Sequence, residues 1–151
     1  MTKSEISSKI SQLERNIADA EKGRAEAEKN IRQLTALNVS CNDYQMEFEF
    51  ARTARKARLE DFNKILGQAR LVGAYDVVLK ELLNGSEYIR AYGGMDMAKS
   101  EISREIERQK QIISECNNQI AGFNSSISYW RQQLASAEKE VKNAGYRVNY
   151  R

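Results

Sequence analysis

Three groups of residues in this sequence are of types that could do chemistry. Glu101 and Glu105 stand four apart in "SEISREIERQ", a candidate carboxylate pair for acid–base work if the segment is helical. Arg52, Arg55, Lys56 and Arg58 crowd into "ARTARKARLE", where a basic face could contact phosphates. Cys41 and Cys116 supply the thiols. Each group also has a plainer reading. Lys99, Arg104 and Arg108 flank the two glutamates at helical spacing, so the pair belongs to a solvated ion-pair face. The basic run spreads over a broad stripe opposite Ala51, Ala54 and Leu59, the net charge is only +3, and no base-stacking module accompanies it. A solvated face is therefore the favoured reading, and nucleic acid is not an expected partner. Both cysteines fall in an apolar phase of their helices and read as small buried hydrophobes of a reducing compartment.

The catalytic motifs are missing at the level of composition. With no histidine, imidazole-based triads and His-based metal sites drop out, and two cysteines alone cannot hold a structural zinc. Neither a Gly-x-x-x-x-Gly-Lys-Ser/Thr loop nor a Gly-x-Gly-x-x-Gly turn occurs. The expectation is a protein without catalytic residues, cofactor or metal. No stretch reaches the roughly 18 apolar residues of a membrane span. "MTKSEISSKI" has no apolar run of the kind a signal peptide needs, which points to a cytoplasmic protein. Export by a route that reads no cleavable signal stays open.

What must position these side chains is helix. The 151 residues include no proline, which suits long uninterrupted helices. Thr2 and Glu5 have the spacing of a capping box. After them Ile6, Ile10, Leu13, Ile17, Ala20, Arg24, Ala27, Ile31 and Leu34 recur at alternating steps of four and three, a heptad seam interrupted only by Arg24. "NVSCND" then offers cap and turn residues, so the first helix is expected to span 1–40. A second seam runs from Ile102 through Ile106, Gln109, Ile113, Cys116, Ile120, Phe123, Ile127, Trp130, Leu134 and Ala137 toward Val141, Ala144 and Val148 without a slip. It predicts a long helix over 95–149.

Between them, 43–94 reads as a small helical head. Asp43 would cap a helix carrying Tyr44, Phe48, Ala51, Leu59, Phe62, Leu66 and Ala69; Gly73 would interrupt it; "AYDVVLKELL" would form a shorter helix stopped at Asn84-Gly85. The fold class is thus all-α: one domain over 1–151, an elongated antiparallel hairpin or coiled coil with a head, three to four helices in all. Matching large seam residues to small ones pairs Leu34 with Ile120 and sets Gly23 and Arg24 opposite Trp130. Arg24 would then stack on the indole, or snorkel out past its own stem. Arg24, Phe123 and Trp130 are the seam residues this pairing singles out, and it also brings Cys41 near the level of Ile113 to Cys116.

"LLNGSEYIRAYGGMDM", residues 82–97, collects the turn residues. Gly93-Gly94 reads as a flexible connection before Asp96 starts the last helix. Leu83, Gly85, Tyr88, Ile89 and Tyr92 form a patch that either packs on the bundle or meets a partner. The C-terminal "YRVNYR" is a frayed helix end or a docking tail.

A small proline-free helical chain with a heptad N-terminal helix, a glycine-containing turn and a long C-terminal helix resembles the small partner proteins of type VII (ESX-like) secretion, of the Trp-x-Gly kind that accompany LXG-type toxins. The Trp-x-Gly turn corresponds to Leu83-Asn84-Gly85, with leucine in place of tryptophan and Tyr88 and Tyr92 following. The family's Tyr-x-x-x-Asp/Glu export signal matches only at Tyr92-Gly93-Gly94-Met95-Asp96, away from the C-terminal tail. The resemblance implies an adaptor or targeting chaperone. Its partner would be the helical N-terminal domain of an effector or a second small helical protein, with a homodimer as the fallback and export together with the partner. The alternative from another class is a coiled-coil structural component, of phage, envelope or flagellar export-stalk type.

Overall fold

The chain in the computed structural model is all-helical, and residues 1–66 and 85–148 are described. Helix α1 runs unbroken over Lys3–Leu66, 64 residues. Helix α2 runs over Ser86–Val148, 63 residues. Among the described residues there is no strand. The helices form two compact units, Met1–Ile31 with Arg108–Arg151, and Arg32–Glu107. In each unit a stretch of α1 packs against an antiparallel stretch of α2.

α1 starts where the sequence says it should. The Glu5 amide donates to Thr2 Oγ1 (3.2 Å), and the Thr2 amide donates back to Glu5 Oε2 (2.7 Å), which satisfies two donors that no helical carbonyl can reach. The Thr2 backbone N–H, then the Thr2 hydroxyl, holds the Glu5 carboxyl below its ordinary value of 4.5.

The expected helix end at Asn38–Asn42 is not there. "NVSCND" lies inside α1, and Ser40 Oγ donates back to the Ala36 carbonyl at 3.2 Å, so its hydroxyl is satisfied without a turn. The helix expected to start at Asp43 is the continuation of α1, and the separate head of further helices does not form from 43–66 or 85–94. At the other end Gly85 opens a helix: its carbonyl accepts the Ile89 amide (3.2 Å), the first bond of α2. Gly93 and Gly94 sit within α2 rather than in a hinge before it. The readings of Leu66 to Asn84, with Gly73 and "AYDVVLKELL" among them, lie outside the described residues, except that α1 includes Leu66.

In the first unit the heptad positions are the least exposed ones. With Ile10 and Ile17 at position a and Ile6 and Leu13 at d, α1 buries Ile6, Ala20 and Ala27, and α2 buries Cys116 and Ile127. Ile10, Leu13, Ile17, Ile31, Ile113, Ile120, Phe123, Trp130, Leu134 and Ala137 are half-buried between them. Fully burying an isoleucine is typically worth about 1.5–3 kcal/mol, so a few such layers hold the pair together.

The register differs from the one size-matching predicts. Arg24 donates to Asn117 Oδ1 at 3.0 Å, Asn30 donates to Gln109 Oε1 at 3.2 Å, and a Cβ on Gly23 would lie 3.6 Å from the Cys116 sulfur. Arg24 is thus level with Asn117 rather than Trp130, a slide of roughly 20 Å at 1.5 Å per residue. Polar pairing decides it. An unpaired polar group between helices costs about 1–3 kcal/mol, as much as an imperfect size match. Trp130 instead takes Lys9, whose ammonium lies 4.6 Å from the ring centroid. Ion pairs Lys3–Glu138 (3.7 Å) and Arg131–Glu14 (3.4 Å) line the exposed edge and contribute little each. Cys116, which that pairing expected near the level of Cys41, is instead level with Gly23 in the first unit, and Cys41 belongs to the second.

The second unit continues the same spacing with different residues. The α1 seam goes on as Leu34, Asn38, Cys41, Gln45, Phe48 and Arg52, and α2 answers with Met95, Lys99, Ile102 and Ile106. Gln45, 7 % exposed, donates to Asp96 Oδ1 (2.8 Å) and accepts from Lys99 Nζ (2.9 Å). Asn38 Oδ1 is buried without a partner among the described residues. Among the described residues of this unit, Ile102 is the buried apolar side chain.

Candidate functional site

Polar residues on the seam of the second unit leave its large apolar residues elsewhere. Leu37 (51 % exposed), Tyr44 (65 %), Met46 (71 %) and Phe50 (79 %) lie on the solvent side of α1, with Val39 also exposed. Ile89 and Met97 do the same on α2. Leu37, Tyr44 and Ala51 recur every seven residues at position g, immediately before the a positions. In an antiparallel pair the g positions of both helices flank the same side of the seam. On α2 those positions are Ala91 and Ala98.

Large residues on one helix and small ones on the other leave a groove of about 680 Å³ on that side. Its α1 wall is Cys41, Tyr44, Glu47 and Phe48. Its α2 wall is Arg90, Ala91, Gly94, Met95 and Ala98. A Cβ placed on Gly94 would meet nothing within 4 Å, so the α2 wall is open backbone there. Cys41, Phe48 and Met95 are seam residues, so the groove floor is the helix–helix contact itself. Glu47 and Arg90, both exposed, mark opposite rims. The chemistry of such a surface is burial of apolar side chains with one charge of each sign at the edges. Within the seam itself Gln45 bonds to Asp96 and Lys99.

The residues expected to form a partner-binding patch are placed as follows. Ile89 is 62 % exposed, Tyr92 is half-buried, and Gly85 is buried at the start of α2. Tyr88 lies in the first turn of α2, and Leu83 lies outside the described residues. The groove adjoins this patch through Arg90 and Ala91. Its α1 half was missed because Tyr44 and Phe48 read as the core of a separate helix. Carrying the heptad through Asn38, Cys41 and Gln45 would have put Tyr44 on the flank.

Of the basic run, Arg52 is on the seam and pairs with Glu49 at 3.0 Å, while Arg55, Lys56 and Arg58 are exposed. Arg104 pairs with Glu101 at 2.7 Å, so that carboxylate of the candidate pair is engaged at the surface. Among the described residues no three His, Cys, Asp or Glu side chains could hold a metal ion, and no helix is long and apolar enough to cross a membrane. No family model, curated protein or solved structure matches the chain.

Proposed function

We propose that the protein is a non-enzymatic helix-binding adaptor whose binding surface is the groove of the second unit. One observation carries this reading: polar Asn38, Gln45 and Lys99 occupy the seam while Leu37, Tyr44, Met46 and Phe50 face outward on the same helix. A partner's amphipathic helix laid over Tyr44, Phe48 and Met95 would bury what the chain leaves exposed, in the helix-in-groove manner. The partner class follows from the resemblance to type VII secretion partners: the helical N-terminal domain of an LXG-type effector, met in the cytoplasm before export. Ile89 and Tyr92 add specificity at the end of the groove.

Co-expression with such a domain tests the proposal. A stoichiometric complex is expected, weakened about 30-fold or more by Tyr44→Asp, the loss typical of a central aromatic anchor. Full-strength binding by Tyr44→Asp, or no complex at all, would sink it.

A structural coiled-coil role is the second reading, favoured by Val141. It continues the α2 seam past the Lys3–Glu138 pair and is 62 % exposed. Concentration-dependent filaments lost on Val141→Asp would support it against the adaptor.

A further inference from the structure

We infer that the helix pair of the second unit has two seams and turns between them, and that the turn fills the groove with the chain's own Tyr44. The turn itself needs no partner. Its use as a control on partner binding rests on the adaptor reading above.

Both seams are written into the same residues. The polar seam of the structure joins Leu34, Asn38, Cys41, Gln45, Phe48 and Arg52 on α1. Leu34, Leu37, Cys41, Tyr44, Phe48 and Ala51 keep the same alternation of three and four, share every second residue with it, and contain no charged or amide side chain. On α2 the set Tyr92, Met95, Lys99 and Ile102 overlaps in the same way with Ala91, Met95, Ala98 and Ile102. Passing from the polar seam to the apolar one is a turn of each helix about its own axis by about 50°, half of the 100° between neighbouring residues. At the inner end the steps become three and three over Ile31, Leu34 and Leu37, and four and four over Ala98, Ile102 and Ile106. Heptad helices absorb such steps by local overwinding and unwinding. In the first unit the corresponding positions of α1 are Lys9, Asn16, Gly23 and Asn30, so that stretch has no second seam to turn to.

Three observations point along this turn. Asn38 Oδ1 is buried without a partner among the described residues, and the turn carries it out of the seam to water. Leu37 and Tyr44, exposed beside the seam, move into it. The space they enter exists already: the groove of about 680 Å³ is bounded across from Tyr44 by Ala91, Gly94 and Ala98, and a Cβ on Gly94 meets nothing within 4 Å. Gln45 and Lys99 go to the other flank, where Asp96 stands, so that their bonds re-form beside water. Apolar burial in one seam is set against a satisfied polar network in the other, and the minor seam is expected at on the order of a tenth of the population. A partner helix enters only while Tyr44 is outside the seam. It therefore draws the chain to the polar seam, as any ligand with differential affinity does.

Disulfide trapping reads the two seams, with Cys41 as the common thiol in a Cys116→Ala background. Across from Cys41 the α2 seam residue is Lys99 in the polar seam and Ala98 in the apolar one. Mild oxidation should link Cys41 in both the Lys99→Cys and the Ala98→Cys variants, at rates within about ten-fold of each other. Tyr44→Asp should slow the Ala98→Cys link about ten-fold or more and leave the Lys99→Cys link unchanged, because only the apolar seam would bury the carboxylate. Leu37→Asp should repeat that result, and Asn38→Asp should reverse it. Circular dichroism shows that each variant is helical. A link in the Lys99→Cys variant alone overturns the inference. So do two rates that Tyr44→Asp and Leu37→Asp change together or not at all. The adaptor reading fails separately. A saturating co-expressed LXG-type helical domain should suppress the Ala98→Cys link. A chain with both links that ignores that domain keeps the turn and loses the adaptor. A chain that binds the domain through Tyr44 and shows one link keeps the adaptor and loses the turn.

Discussion

The two units use one heptad spacing for opposite ends. In the first, apolar residues fill the seam except at Arg24 and Gln109, and most positions beside it are polar: Lys9, Asn16 and Asn30 on α1, Gln119, Ser126 and Gln133 on α2, with Ile112 the apolar exception. In the second, Asn38, Gln45 and Lys99 enter the seam and Leu37, Tyr44, Met46, Phe50 and Met97 leave it. A spacing of four and three therefore settles where a helix faces its neighbour, but not whether that contact satisfies it. The first unit buries apolar residues along its seam, although Ile112, Tyr129, Val141 and Tyr146 stay exposed. The second trades core for a polar network and an outward apolar face, the arrangement of a helix pair that acquires more of its stability from contact with something else.

That contrast makes its largest prediction in the first unit. Ile127 is 5 % exposed, and Ile127→Ala should cost about 2–4 kcal/mol, read by urea unfolding through the emission of Trp130, the chain's one tryptophan. Tyr44→Ala, an aromatic truncation in the second unit, should leave the unfolding midpoint of a dilute sample nearly unchanged. Equal losses from the two substitutions would break the distinction between an apolar seam and a polar one.

The next effect has the opposite sign. Gly93 and Gly94 lie within α2, and a Cβ on either meets nothing. Gly93→Ala and Gly94→Ala should each stabilise the isolated chain by about 1 kcal/mol, seen as a higher thermal midpoint. Glycines that the fold needed would give a loss instead. Gln45→Leu comes next, at about 1 kcal/mol in either direction, because Asp96 and Lys99 can turn to water once the amide is gone. Its more telling effect is on register: a seam without its polar layer should form disulfides at more than one pairing when cysteines are placed along both helices. A single pairing, unchanged from the parent, would mean that Gln45 does not specify alignment.

These same polar residues explain how far the sequence could be read. The seam from Ile102 to Ala137 was legible because every step keeps the alternation, and every expected position proved buried or half-buried. The continuation of α1 past Leu34 was not, because Asn38, Cys41 and Gln45 keep the spacing while hiding it from an apolar count. The cap-like run "NVSCND" carries only a few tenths of a kcal/mol per residue against helix, and packing on α2 overrides it. Gly93-Gly94 misled for a similar reason: two glycines weaken a helix without ending it. The register failed because it was sought in side-chain sizes alone, whereas Arg24, Asn30 and their amide partners set it. The foreseen residues Ile89 and Tyr92 do not line the groove, which only adjoins them through Arg90 and Ala91. Met46, Phe50 and Met97 escaped because an exposed apolar residue has no periodic partner to announce it.

The smallest prediction separates the two helix starts. α1 opens with a reciprocal cap in which the Thr2 amide donates to the Glu5 carboxylate and the Thr2 hydroxyl oxygen accepts the Glu5 amide, and α2 opens at Gly85, which has no side chain to reciprocate. The Glu5 carboxyl titrates below its ordinary value of 4.5, chiefly because it accepts the Thr2 backbone N–H. A carboxyl whose folded value is depressed adds stability that is present above the unfolded value and fades as pH falls through the folded one. Lowering the pH from about 5 to about 3 should therefore loosen the first turn of α1 and leave the seam below it intact, since Ile6 stays packed. Carbon-13 titration of the Glu5 carboxyl is the direct readout, with the Glu5 and Ile6 amide resonances moving in the same window. Glu5→Gln should remove the pH response of that turn, because an amide oxygen still accepts from Thr2 but no longer changes charge. A Glu5 midpoint at or above 4.5 would mean that the cap is not populated, and that the first unit is held by its seam alone.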